Sequence, residues 1–289
     1  MPLKKDRFSK MRRRGLAKRL APIFVALLLH SACTVGSAKN RYLFAEKLWT
    51  DGKYEAAVAE FEKVAQKDPS GRLGQQALFR AANTQAFFLQ QYEPAARKFS
   101  RLADTTTEPE LAWESKRHLG ELLFSRLGQH EASIAHYRKL LQDYPKAPES
   151  PEFLFRIARS QFLLSQFSDA LGTYASVEER YPGTPQAEAA ALERGVTFYT
   201  RGEHLPGPRK EALETYQQAI QAFQRFLQKF PQSPRAAEAR FGHAECLEEM
   251  DQLEAAAQIY ASIEKTYPSP NVIRIKLARI RERQNQKSR

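Results

Sequence analysis

Cysteine, histidine and glycine are scarce in this chain, numbering two, six and thirteen among 289 residues. Two cysteines cannot build a disulfide framework or a Cys-rich zinc module, and so few glycines leave little material for a glycine-rich nucleotide loop. The HExxH, GxSxG, P-loop and dinucleotide fingerprints are missing. No stretch alternates polar and apolar residues for long enough to argue a sheet. Apolar side chain is plentiful at 42%, too much for a wholly disordered chain, and the length suits one extended or two compact folded units.

A net charge of +12 raises the question of nucleic acid, and the answer lies in where the charge sits. Residues 1–19 carry nine Lys or Arg against Asp6, and residues 270–289 carry seven against Glu282. The 250 residues between them sum to −2. A nearly neutral body lacks the continuous basic face that counterion release from a phosphate backbone requires, so nucleic acid is not expected as a partner.

The basic stretch Lys4 to Arg19 runs into the apolar Leu20-Ala-Pro-Ile-Phe-Val-Ala-Leu-Leu-Leu29, and small residues follow from Ser31 to Ala38. Residues 1–38 therefore read as an export signal. A spanning helix needs about 20 apolar residues, whereas this run contains Pro22 and meets His30 after ten. Its end, Leu29-His30-Ser31-Ala32-Cys33, resembles a bacterial lipobox, with His30 where that motif usually has Leu. The resemblance implies that Cys33 is lipidated and becomes the mature N-terminus. Two alternatives stand beside it: cleavage after Ala38, with Gly36 and Ala38 as the small residues, and an uncleaved anchor. With Cys33 acylated or removed, Cys246 has no partner for an intramolecular disulfide and reads as a buried, inert thiol.

One pattern recurs along the body. Gly52-Lys-Tyr54-Glu-Ala-Ala57-Val-Ala-Glu-Phe61 reaches Pro69, and Gly128-Gln-His130-Glu-Ala-Ser133-Ile-Ala-His-Tyr137 reaches Pro145 over the same span of seventeen. The template fits four further times, with small residues at Ala95, Ala170, Ala219 and Ala256 and aromatics at Phe99, Tyr174, Phe223 and Tyr260. Its starts fall at 52, 90, 128, 165, 214 and 251. The one long step places an insertion at about 202–213, where Gly202-Glu-His-Leu-Pro-Gly-Pro-Arg209 reads as a loop. Apolar residues spaced three and four apart predict two helices per unit. Tyr144-Pro145, Tyr181-Pro182, Phe230-Pro231 and Tyr267-Pro268 mark stops, and Ser150-Pro151, Thr184-Pro185 and Ser233-Pro234 read as N-cap hydroxyls before a first-turn proline.

These positions resemble the tetratricopeptide repeat family in its longer-period bacterial envelope form, over residues 39–268. Two departures from the family are the units longer than 34 residues and the larger Val64, Leu102, Leu140, Val177, Phe226 and Ile263 at a late position often held by Ala. The resemblance implies an all-α, TPR-like helix-turn-helix solenoid of about six repeats, a right-handed superhelix whose first helices line a concave surface for peptides or partner helices. Mapped onto this chain, the inward first-helix residues are Tyr42, Trp49, Arg80, Asn83, Phe88, Arg117, Arg159, Phe162, Tyr199 and Phe241. Arg and aromatics are enriched at binding hot spots, though the same residues also pack between repeats. Arg80, Arg117 and Arg159 would suit a partner bearing carboxylates. Residues 269–289 are expected to form a capping helix, with Ile273, Leu277 and Ile280 on one face, followed by a basic tail from Arg279 that is frayed or binds anionic lipid or an acidic partner.

For chemistry little is left. His243-Ala-Glu245-Cys246 is similar to the H-x-E element of zinc deaminases but lacks the later P-C-x-x-C. His130 and His136 do not share a helix face for metal, and Glu178-Glu179 and Glu248-Glu249 diverge as neighbours on a helix. The expectation is a non-enzyme with no metal, no cofactor and no small-molecule substrate. Joined to a lipobox-like signal, the repeats resemble two envelope families: the lipoprotein partner of the outer-membrane β-barrel assembly machine and the periplasmic coordinator associated with Tol-Pal. That implies a protein or peptide partner and a lipid-anchored scaffold on the periplasmic side of the outer membrane, aiding envelope protein assembly. The alternatives are a soluble periplasmic accessory of an enzyme or of a division or Tol-Pal complex, and an adaptor held by an uncleaved anchor.

Overall fold

The computed structural model describes residues 37–206 and 209–287, so Cys33 and most of the signal lie outside the described residues. Among the described residues the chain is all-α, with no strand. Helix α1 (37–50) is followed by α2 (Tyr54–Lys67), α3 (Arg72–Phe87), α4 (Tyr92–Thr105) and α5 (Pro109–Glu121). A π-helical turn, Leu122–Arg126, leads to α6 (His130–Asp143), α7 (Ser150–Leu163), α8 (Phe167–Arg180), α9 (Pro185–His204) and α10 (Arg209–Lys229). The chain ends with α11 (Ala236–Glu249), α12 (Leu253–Ile263) and α13 (Pro270–Lys287). Two compact units meet in sequence between Leu122 and Leu123. The first holds α1 to α5 and the second α6 to α13, so the third helix pair is divided between them.

The repeated template positions form the core. Ala57, Ala95, Ser133, Ala170, Ala219 and Ala256 are all fully buried, which a side chain larger than a methyl or hydroxymethyl would prevent. Phe61, Phe99, Tyr137, Tyr174, Phe223 and Tyr260 are buried four residues later, and Val64, Leu102, Leu140, Val177, Phe226 and Ile263 three later still. The spacing of four then three keeps each triplet on one stripe of its helix. The large third residue is thus a core residue in every repeat.

Backbone geometry explains the glycine at two of the six template starts. Gly52 and Gly128 have φ of +74° and +60° in the turn between the two helices of a pair. Gln90, Ser165 and Asp251 take the same left-handed conformation in the equivalent turns, at +55°, +58° and +63°. The fifth start, residue 214, departs because it lies inside α10. Here the expected loop, Gly202 to Arg209, is shortened: α9 runs through His204 and α10 begins at Arg209, so the extra residues of the insertion lengthen both helices. Gly202 lies within α9, and glycine is required there because a Cβ would come within 2.6 Å of the buried Tyr216 ring. Gly195 and Gly242 likewise leave room on either side of Phe223, whose ring would lie 2.5 Å from an added Cβ at either position.

Only one of the three expected hydroxyl caps forms. Thr184 Oγ1 accepts the Ala187 N–H at 3.2 Å, with Pro185 opening α9. Ser150 lies within α7 and its Oγ has no hydrogen-bond partner. Ser233 precedes α11 by two residues more than a cap should, and its hydroxyl donates to Glu188 at 2.6 Å while accepting the Arg235 N–H.

The C-terminal segment also differs from expectation. Ile273 and Ile280 are buried against Leu253, Ala256, Tyr260 and Ile263, and Leu277 packs beside them, as a capping helix requires. Residues 279–287, however, stay helical, and three of their cations, Arg279, Arg283 and Lys287, pair within the chain. Arg283 reaches Asp251 at 3.1 Å and Glu248 at 3.5 Å, and Lys287 pairs with Asp251. The reason is acid placed opposite on α11 and in the turn after it, which neutralises the tail that was read as frayed.

Candidate functional site

Within the first unit, consecutive first helices touch: α3 packs on α5 as well as on its partner α4. Four of the ten expected face residues converge here. The Arg80 guanidinium grips Glu46 with two bonds, Nε to Oε1 and Nη2 to Oε2, both 2.8 Å. The same guanidinium lies 4.8 Å from the centre of the Trp49 ring. Trp49 stands edge-on to Phe88 at 5.2 Å and to Tyr54 at 6.0 Å, and Tyr54 lies 4.7 Å from Phe88. Tyr42 completes the row, edge-on to Phe61 at 5.3 Å, and burial followed by the nearby Glu46 charge raises its pKa. The row ends in the open, since Phe88 is 46% and its neighbour Phe87 59% exposed. Asn83 lies one turn beyond Arg80, with its Oδ1 buried and unpartnered. Arg117 is apart, bonded along its own helix to Glu114 at 2.8 Å.

In the second unit the first helices α7, α9 and α11 touch in succession. Arg159 bonds Glu193 at 2.8 Å and lies 5.5 Å from the Phe162 ring, and Glu193 also receives Arg235 at 3.5 Å. Tyr199 stacks obliquely on Tyr216. Its hydroxyl pKa is raised by burial and by the charges of Glu245 and Glu203. Phe241 packs on Tyr260 at 5.5 Å and on Tyr267 at 4.7 Å.

The idea of three arginines waiting for a partner's carboxylates is corrected by these contacts. Each already has an acid of its own chain, because Glu46 and Glu193 stand on the adjacent first helix and Glu114 one turn back. Sequence reading missed these acids, yet the signal was there. Glu46 and Arg80, Arg159 and Glu193, and Glu152 and Gln186 are each 34 residues apart, one helix pair on but about one turn short of the repeat length, and each pair is hydrogen-bonded. The arginine planes thus serve as fixed surface beside aromatic rings, not as free charge.

A third cluster was not foreseen at all. Glu248 is 2% exposed, although the sequence shows it only as half of a Glu-Glu pair. Lys276 of α13 reaches it at 3.3 Å and Glu245 at 3.1 Å, Arg279 and Arg283 approach at 3.6 and 3.5 Å, and the Tyr260 hydroxyl donates to it at 3.4 Å. Lys276 also lies over Phe241, 5.9 Å from the ring centre. Separately, a cleft of about 350 Å³ among α8, α9 and α10 is lined by Arg194, Arg225 and Lys229, with Glu178 accepting Arg194 at 3.0 Å and 3.6 Å from Lys229.

Among the described residues no group of three His, Cys, Asp or Glu could hold a metal ion. Burial lowers the His243 pKa, and burial first, then Glu245, raises the Cys246 thiol pKa, so Cys246 is not a poised nucleophile.

Residues 124–279, more than half of the chain, match the YfiO family model, an outer membrane lipoprotein. Residues 84–148 match a tetratricopeptide repeat model. A solved tetratricopeptide repeat protein from Parabacteroides merdae is similar over 87% of this chain and 88% of its own, at 16% identity and a TM-score of 0.54. PilW, a type IV pilus biogenesis factor, is similar over 84% of this chain and 97% of its own, at 17% identity and a TM-score of 0.50. At these identities the likeness is one of fold. No curated protein matches the sequence.

Proposed function

The chain belongs to the YfiO family of outer membrane lipoproteins, and from that membership we propose that it holds protein or peptide segments on the periplasmic side of the outer membrane while envelope proteins are assembled. It is a protein-interaction scaffold of the envelope and not an enzyme. The observation that carries the finer reading is the row Tyr42, Trp49, Arg80 and Phe88, fixed from behind by Glu46 and ending in two exposed phenylalanines. Rigid aromatic and arginine surface next to open apolar rings suits a partner's apolar anchor residues, since little side-chain entropy remains to be lost. Arg159 with Phe162, and Tyr199, offer similar surface in the second unit.

Lipidation at Cys33 fits the fold better than cleavage after Ala38. Ala38 is a buried residue of α1, so a cut there removes part of the first helix, whereas a mature chain from Cys33 keeps it whole. No described helix is long and apolar enough to cross a membrane.

The test is a photo-crosslinking residue at position 88, compared with one at the exposed Gln258 on α12, in the native envelope. Crosslinks from 88 alone to an outer-membrane assembly protein or its client, with reduced outer-membrane β-barrel levels in a Phe87→Ser/Phe88→Ser strain, support the reading. Unchanged levels and no crosslink from 88 overturn it. Intact mass of the wild-type and Cys33→Ala proteins reads the anchor independently.

A further inference from the structure

Helix α1 has a second face, turned away from the aromatic row. At 100° per residue, Lys39, Asn40, Leu43, Phe44 and Lys47 fall within an arc of about 140°, and all five are exposed. The buried Ala38 and Ala45 lie on the opposite side of the helix. Leu43 and Phe44 are 56% and 52% exposed, an adjacent apolar pair with nothing over it. Lys39 and Lys47 flank the pair, and among the described residues neither has an acidic partner. Apolar centre and cationic flanks on one helix face are the pattern of a helix lying in a bilayer interface.

Chain length says which surface this face meets. Three residues separate Cys33 from Ser37, where the described part of α1 begins, and the four residue steps between them span at most about 14 Å. An acylated Cys33 therefore holds the start of α1 within about 14 Å of the headgroup layer, which leaves no room for another folded protein between them. We propose that the Lys39, Leu43, Phe44 and Lys47 face of α1 docks on the bilayer, burying Leu43 and Phe44 at the headgroup boundary and setting its two lysines against anionic phospholipid headgroups. The proposal rests on the lipid-anchor reading for its geometry. Its consequence is orientation: lipid holds one side of α1, while Tyr42 and Trp49 on the other side stay available to a protein partner.

The mature protein, reconstituted in vesicles of phosphatidylethanolamine and phosphatidylglycerol doped with a diazirine-bearing phospholipid, is photolysed and mapped by mass spectrometry, and intact mass reports acylation. With acylation confirmed, lipid adducts on residues 39–47 are expected, falling at least fivefold in Leu43→Asn/Phe44→Asn and at least twofold in Lys39→Glu/Lys47→Glu, with helicity by circular dichroism unchanged. An acylated protein whose α1 carries no more adducts than α12 overturns the docking while leaving the anchor standing. If the mass shows no acyl chain, the anchor reading has failed. Adducts on 39–47 that vanish in phosphatidylcholine vesicles then keep the docking as a charge-assisted contact, and their absence overturns it too.

Discussion

Trp49 and Phe241 both stand on first helices and both have a cation over the ring, yet they end in opposite situations. Over Trp49 the cation is Arg80, from the neighbouring first helix, and the aromatic row continues outward to an exposed Phe88. Over Phe241 it is Lys276, from the capping helix α13, which also supplies Arg279 and Arg283 to the buried Glu248. The same residue types therefore make open surface in one unit and a closed seam in the other. What decides is the source of the cation: a repeat neighbour leaves the ring's edge free, whereas a cap covers it. An apolar or cationic side chain on a first helix becomes a binding candidate only after its own chain's claims on it are known.

The comparison breaks most completely if the cap is unseated. Ile273→Ala with Ile280→Ala should destabilise the second unit by about 4 kcal/mol or more, since each buried Ile→Ala typically costs about 2–5 kcal/mol. Hydrogen exchange should show α11 to α13 losing protection while α2 to α4 keep theirs. Equal loss in both units would mean that the cap does not act locally. A smaller effect, about 2 kcal/mol, is expected for Glu248→Ala, read from the denaturant midpoint. Removing one partner of a buried ion pair costs about 3–5 kcal/mol, but Arg279 and Arg283 reach solvent and rehydrate, which lowers the cost. A neutral result would assign the seam's strength to the isoleucines alone.

How much of this was legible is decided by range. The template fixed the second-helix cores, because Ala, aromatic and large aliphatic residues at spacings of four and three report directly on a buried stripe. It also located the hairpin turns, where Gly52 and Gly128 adopt a left-handed conformation that Gln90, Ser165 and Asp251 share without the glycine signal. The face residues were only half legible. The family resemblance put Arg80 and Arg159 on the right helices, but their acids are 34 residues away and visible only once a distance one turn short of the repeat length is used for pairing. Two sites stayed illegible for physical reasons. Glu248 looks like a solvated acid until α13 folds back over it, and Gly202 reads as a loop signal although it is a helical glycine that makes room for the Tyr216 ring.

The comparison is sharpened by a matched pair of truncations. Phe88→Ala should leave stability within about 0.5 kcal/mol, as for most exposed positions, yet reduce partner crosslinking from this face about tenfold. Phe241→Ala should do the reverse, costing about 1–3 kcal/mol because its ring packs on Tyr260 and Tyr267, with capture unchanged. If Phe241→Ala abolished capture while stability held, the closed seam would open in the envelope and the contrast would be wrong.

The finest distinction is one of pH. In the first unit the His118 ring is set among Phe79, Phe87 and Phe99, stacked on the last at 5.1 Å. Burial is the largest influence and lowers its pKa, outweighing the Glu114 and Glu121 charges that oppose it, and Arg117 adds to the lowering. The unfolded state then binds the proton more readily than the folded one. Stability is therefore full above the ordinary histidine value of about 6.5 and is lost as the pH falls through and below it. His243 gives the second unit a slope of the same sign through burial alone, so the whole-protein melt does not separate them. His118→Phe separates them: between pH 7.5 and 5.5 the first unit's amide protection should become flat while the second unit still weakens. A first unit that loses protection just as steeply without His118 would show that its acid sensitivity does not arise from this ring.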